Sequence, residues 1–364
     1  MTKLYLGTKE LTPAIFSNRT KYDCTVDNFL FDVDSSGKMT ARSVQPHFSP
    51  VFTGVKDIGI AALEYRFYYY DAIDSVSFPD LEAITGNYAL NNAFRHAPNL
   101  TSISFPKLSS ISGSYGMGSC FYQCQNTGFN TVSFPELVSI TNTNGMGSCF
   151  YQCTYLTSVS FPKLTTITAG MNACFQGCNR ITSVDISKVQ TVGALGLQNT
   201  FNGCTQLTSI NLSSLTTVAG NNAMNGTFNG CTTLASIDFS NLTTIGTNAS
   251  NGTANEFVQA FYNCNALTSI TFPKLETIYC TGSGTTGTFN NNNKVQKLYF
   301  PKLTNITYGT GATTANQNSC KYIFTNCAAL TEIHFALANQ TAIEATAGYA
   351  TNWGATNATI YFDL

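Results

Sequence analysis

The sequence predicts a solenoid: a parallel β-strand ladder with short helical turns, wound as about ten coils of 25–35 residues. Three observations predict it. One theme recurs along the chain, as in LTSISFPKLSSIS from Leu100, LTSVSFPKLTTIT from Leu156 and LTSITFPKLETIY from Leu267. Inside each copy apolar and small polar residues alternate. A phenylalanine and a cysteine then return once per copy at matching places.

The repeat comes first, because a fixed period of this length decides the architecture. Further copies begin at Ile73, Asn130, Ile181, Leu207, Leu234 and Gln296, and a decayed one begins at Leu330. Their central aliphatic residues are Val76, Ile103, Val132, Val159, Val184, Ile210, Ile237, Ile270, Leu298 and Ile333, between 25 and 35 residues apart. The strand comes next: Ile103 and Phe105 alternate with Ser102 and Ser104, the period-2 mark of one buried face. Leu108 and Ile111 form a second short apolar element. A Gly/Asn/Thr/Ser stretch and an aromatic-cysteine piece such as Phe121-Tyr122-Gln123-Cys124 close the coil, the last as one helical turn.

No single copy can bury its apolar positions, so copies must stack about 4.8 Å apart. Stacking explains the columns. Phenylalanine runs through Phe94, Phe121, Phe150, Phe175, Phe201, Phe228, Phe261 and Phe324. Cysteine runs through Cys124, Cys153, Cys178, Cys204, Cys231, Cys264 and Cys327.

The pattern L-T-S-I-x-F-P-K-L-x-x-I followed by A/C-F-x-x-C closely resembles the BspA-type leucine-rich repeats of bacterial surface proteins and gut bacteriophages, over roughly residues 51–364. The opening Lys3–Gly7 with Leu11–Ile15 resembles, over a shorter span, an N-terminal segment of phage tail-associated proteins. The stretch from Tyr349 to Phe362 resembles a closing cap of such arrays, so the array is expected to end there. The resemblance implies adhesion: a non-catalytic protein of a phage tail or virion, or of a bacterial cell surface, whose partner is a host-surface glycan or protein. A structural virion protein without ligand is the third reading.

Three regions follow. Residues 1–50 do not repeat; they contain a hairpin from Asn28 to Asp34 turning at Ser35-Ser36-Gly37, and would attach the array to other virion proteins or cap it. Residues 51–337 are the solenoid, opening on a half-coil with Val55, Ile58, Leu63 and Phe67. Residues 338–364 form the C-terminal cap, with helical composition up to Tyr349 and a final strand at Thr359–Phe362.

Composition excludes several functions. Eighteen Lys plus Arg against nineteen Asp plus Glu give a net charge of −1, too balanced to attract a nucleic-acid backbone. Nothing approaches the roughly 18 apolar residues of a membrane span. The N-terminus lacks the apolar stretch of a secretory signal, although a signal already removed would look the same.

The chemical candidates are weak. A cysteine recurring once per coil is a small apolar core residue, and disulfides or a metal are the competing readings of the thirteen cysteines. No cofactor or metal site is expected. Gly282–Gly287 spells G-x-G-x-x-G without a helix to follow it, and Asp32–Gly37 imitates a calcium loop that lacks its final glutamate. His47, His96 and His334 are far apart along a stack, so no nucleophile has a base and no catalytic residue is assigned. One surface column alternates in sign, Asp80, Lys107, Glu136, Lys163, and serves register. For binding, the candidates are the aromatic residues Tyr65, Phe67, Tyr68, Tyr69 and Tyr70 and the loop residues Tyr115, Tyr122, Tyr151 and Tyr262, with packing between coils as the alternative role.

Overall fold

In the computed structural model of the chain the described residues are 49, 51–246, 256–279, 289–307, 321–346 and 348–364, with the strands Leu4–Leu6, Lys9–Leu11, Thr25–Val26, Phe29–Val33 and Met39–Ala41. The G-x-G-x-x-G, most of the calcium-like loop, Cys24, Cys280, Cys320 and most of the long C-terminal loops lie outside them.

The fold is a parallel β-solenoid. Each coil contributes two short strands. The first, as in Ser102–Ser104, holds the central aliphatic residue, and these residues meet across coils: Val76 pairs with Ile103, Val159 with Val132 and Val184, and Leu298 with Ile270 and Ile333. The second strand, two or three residues long, builds a continuous parallel sheet of nine strands from Ala83–Ile84 to Asn305–Thr307. Its register places Ile84, Ile111, Ile140, Ile167, Val192, Val218, Ile245, Ile278 and Ile306 in one row. A one-residue slip would expose the whole row, so the aliphatic position fixes the stacking.

The closing piece of the coil differs from expectation. From Ala61 to Cys264 it is a run of linked turns instead of a helical turn. In the coil Asn144–Cys153 the N–H groups of Ser148, Phe150 and Gln152 donate to the carbonyls of Asn172, Cys174 and Gln176 in the next coil. Those of Cys149, Tyr151 and Cys153 close turns on Met146, Ser148 and Phe150. Alternate amides thus bind the neighbour and the coil itself. A helix would consume them all internally and leave the coils unlinked. The run needs a left-handed residue every fourth position, here Asn144, Ser148 and Gln152 with φ of 52° each, and a Gly/Asn/Ser-rich stretch accepts that geometry better than it forms a helix.

The core is one continuous spine. Ring centroids in the turn row lie 5.2 Å apart for Phe67–Phe94, 5.4 Å for Phe121–Phe150, 5.3 Å for Phe150–Phe175 and 6.0 Å for Phe228–Phe261. A second row descends from the Phe-Pro corner, with Phe78–Phe105 at 5.1 Å and Phe134–Phe161 at 5.4 Å. Between Phe261 and Phe324 the intervening coil supplies Phe289, whose ring lies 5.6 Å from that of Phe324 and on its other side stacks on Phe257, one turn before Phe261, at 5.3 Å. In that coil Asn292 occupies the cysteine place, and its Oδ1 accepts the Phe261 N–H at 2.7 Å. A cavity of about 10 Å³ opens there, lined by Phe261, Phe289, Asn292, Val295 and Cys327.

The ends differ from the middle. In the first fifty residues Phe29–Val33 pairs antiparallel with Met39–Ala41, and Leu4–Leu6 with Lys9–Leu11. At the other end a 3-10 turn Leu337–Asn339 leads into the five-residue helix Gln340–Glu344, a second 3-10 segment Tyr349–Gly354 buries Trp353, and the strand Thr359–Phe362 pairs with Glu332–Phe335. Trp353 closes the phenylalanine row, edge-on to Phe324 at 6.3 Å.

Candidate binding surface

The column cysteines point inward. Each thiol donates to the carbonyl of the phenylalanine one coil earlier, as Cys153 to Phe121 at 3.0 Å and Cys178 to Phe150 at 3.0 Å. The ten described cysteines are free and buried. Burial pushes the Cys124 and Cys264 thiols up to about 12, and those of Cys153, Cys178 and Cys204 well above the ordinary thiol range. Thiolate chemistry is therefore suppressed. Among the described residues no three His, Cys, Asp or Glu side chains group as a metal site requires. The native protein should accordingly resist alkylation, with at most three of its thirteen cysteines labelled by iodoacetamide until denaturant is added. Mass spectrometry of labelled peptides checks this, and ready labelling of Cys153 or Cys178 would contradict it.

The charged column meets as adjacent pairs on the surface. Lys107 reaches Asp80 at 2.8 Å and Lys163 reaches Glu136 at 2.7 Å. Both pairs are solvent-exposed and contribute little to stability.

The aromatic residues divide by position. Those just after the buried row phenylalanine face outward in the order Tyr68, Arg95, Tyr122, Tyr151, Gln176, Asn202, Asn229, Tyr262. The next residue is left-handed in every coil: Tyr69, His96, Gln123 and Gln152 have φ between 52° and 57°, whereas Gly177, Gly203 and Gly230 stand there in the middle coils and Asn263, Asn291 and Asn326 in the last ones. An L side chain pays about 1–2 kcal/mol for this conformation and glycine does not. The N-terminal coils hold large side chains where the middle coils have glycine and the last ones asparagine.

These side chains form a connected strip. Tyr69 stacks on His96 at 4.3 Å, Tyr68 meets Tyr69 edge-on at 4.5 Å, His96 meets Tyr122 at 5.7 Å, and Tyr122 stacks on Tyr151 at 4.7 Å. The Arg95 guanidinium lies 4.0 Å over the Tyr122 ring and 5.7 Å from Tyr68, and its Nη1 donates to Asn92 Oδ1 at 3.1 Å. Gln123 Nε2 donates to the Gln152 side-chain carbonyl and continues the strip. Tyr65, 45% exposed, joins through Tyr68, and Tyr69 is 61% exposed. Partial burial, then the charge of Arg95, holds His96 below its ordinary pKa, while burial and neighbouring phenols push Tyr122 up. A second stack, Tyr88 on Tyr115 at 5.4 Å, sits six residues before the row phenylalanines.

Two of the candidate tyrosines stand apart. Tyr70 occupies the place that becomes cysteine in later coils, so it turns inward against Phe67, and burial lifts its phenol to about 12. Tyr262 keeps the outward place, but Gln176, Asn202 and Asn229 separate it from Tyr151. Sequence reasoning missed Arg95, His96 and Tyr88; reading the two positions after each row phenylalanine as columns would have found the first two.

The sequence profile of the family described as BspA type Leucine rich repeat region (6 copies) matches residues 61–194, 118–257 and 225–352. No curated protein matches the chain. Among solved structures, a leucine-rich cell surface protein from Faecalibacterium prausnitzii A2-165 is similar at 16% identity over 93% of this chain and 99% of that one, with a TM-score of 0.27. A leucine-rich-repeat protein from Bacteroides ovatus ATCC 8483 is similar at 16% identity over 93% of this chain and 100% of that one, with a TM-score of 0.24. Overlaps this loose add nothing to the assignment, which rests on the profile.

Proposed function

The chain belongs to the BspA-type leucine-rich-repeat family, and from that premise we propose that it is a non-catalytic adhesion protein that grips a host-surface glycan or protein through the aromatic strip of its N-terminal coils. One observation carries the reading: Tyr69, His96, Gln123 and Gln152 keep bulky side chains in a left-handed conformation that the same molecule fills with glycine at Gly177, Gly203 and Gly230 and with asparagine, which tolerates it, at Asn263, Asn291 and Asn326. Backbone strain kept in one region and released in its copies points to a role for the side chains there. Rings and amides on a rigid scaffold bind with little entropy loss, which suits adhesion. The family is one of repeat proteins that bind, and no enzymatic family is indicated for the chain.

The test is a set of alanine substitutions at Tyr68, Tyr69, Tyr122 and Tyr151, assayed for binding to mucosal or bacterial cells by flow cytometry with thermal melting in parallel. Binding should fall at least tenfold while the fold persists, and unchanged binding would refute the assignment.

The carrier proposed is a phage tail or virion, with residues 1–50 as its attachment. Their antiparallel strands, unlike the parallel coils, support a separate role. A bacterial cell surface is the alternative carrier. Immunogold labelling of purified virions and of intact cells decides between them.

A further inference from the structure

We infer that the strip is specific for acidic sugars, and that Arg95 is the residue that receives the sugar carboxylate; this rests on the adhesion reading above. Arg95 is the one charged residue at the two outward positions after each described row phenylalanine, where its neighbours are Tyr68, Tyr69, His96, Tyr122, Gln123, Tyr151 and Gln152. Lys56, Lys107, Lys163 and Lys297 are each tied to a carboxylate within 3.1 Å. Arg95 is held differently. Among the described residues its contacts are the ring faces of Tyr122 and Tyr68 and the amide oxygen of Asn92, all of which orient the guanidinium and leave its charge uncancelled.

A planar guanidinium fixed by stacking is pre-organised for a carboxylate, and because Nε is buried the carboxylate would be met end-on, by one N–H from each terminal nitrogen. The phenol rings of Tyr122 and Tyr151 stack at one coil spacing, and the amides of Gln123 and Gln152, joined to each other, add donors and acceptors beside them. Hydroxyl-rich sugars match such a surface.

The probes are sialyllactose and oligogalacturonate, each beside its carboxyl-reduced counterpart, titrated by calorimetry against the full chain, Arg95→Gln, Arg95→Lys and the control Arg180→Gln. Arg180 also lies over a ring, Tyr155 at 4.6 Å, but outside the strip. At least one acidic probe should bind about tenfold or more tighter than its reduced form. Arg95→Gln should erase that difference, Arg95→Lys should restore it only in part, and Arg180→Gln should leave it intact. Equal binding of acidic and reduced sugars, lost together on replacing the tyrosines, would overturn the inference and leave adhesion standing. Binding of a polyglutamate peptide with no acidic sugar bound would overturn it in favour of a protein partner. Failure of every sugar and of host cells alike would remove the adhesion reading and this inference with it.

Discussion

Phe150→Ala is expected to destabilise the protein by about 3–5 kcal/mol and to split its unfolding into two transitions. The ring is wholly buried between Phe121 and Phe175, at 5.4 and 5.3 Å, with Phe129 and Phe134 against its flank at 6.3 Å. Truncation removes both stacking contacts at once and leaves a cavity that the linked turns are too constrained to close. A stacked array is held by nearest-neighbour interfaces, so weakening two adjacent ones uncouples the coils on either side. Denaturant titration followed by tyrosine fluorescence and far-UV circular dichroism measures the effect. A loss below about 1 kcal/mol with one coincident transition would show that the spine is not continuous.

Gly86→Ala should be nearly as damaging, for a different reason. A Cβ at Gly86 would lie 2.1 Å from the carbonyl carbon of Gly59, and one at Gly113 would lie 2.0 Å from the Gly86 oxygen. Backbone stacks on backbone there, and no side chain can step aside. The coils would have to part, at a cost of about 2–4 kcal/mol. Gly203→Ala is the comparison. Its Cβ would meet nothing nearer than 3.7 Å, so the cost is the left-handed backbone alone, about 1 kcal/mol. Melting temperatures of the two variants should fall in that order, and a reversal would contradict the close approach of the first coils.

The strands were legible because alternation and spacing leave few alternatives: Ile103 between Ser102 and Ser104 can bury one face only, and its partner Val76 stands at the matching place one coil earlier. The run of turns was not legible. Its left-handed positions accept Gly and Asn readily, but Tyr65, Tyr69, Tyr88 and Tyr115 also fill them, so the local preference that would mark the geometry is overridden in the very coils that carry the strip. Phe289 escaped the column because Phe-Asn-Asn-Asn replaces the Phe-x-x-Cys signal, and the asparagine side chain stands in for a backbone acceptor. At the proposed binding surface, counting tyrosines picked out Tyr68, Tyr122 and Tyr151 of the aromatic strip but passed over Arg95, whose place in it shows only in the rings beside it. The inward turn of Tyr70 follows from its place in the cysteine column, which only becomes meaningful once the closing piece is known not to be helical.

The alternation of amides between a coil and its neighbour has a mechanical corollary. Every second link in a closing segment crosses to the adjacent coil, so tension applied along the stack is shared by a short zipper at each boundary, and none of it is carried by covalent cross-links among the described cysteines. Under shear the molecule should pay out one coil at a time from an end. A coil of about 27 residues releases roughly 90 Å of extended chain, which would let a tether lengthen stepwise while the remaining coils keep their hold.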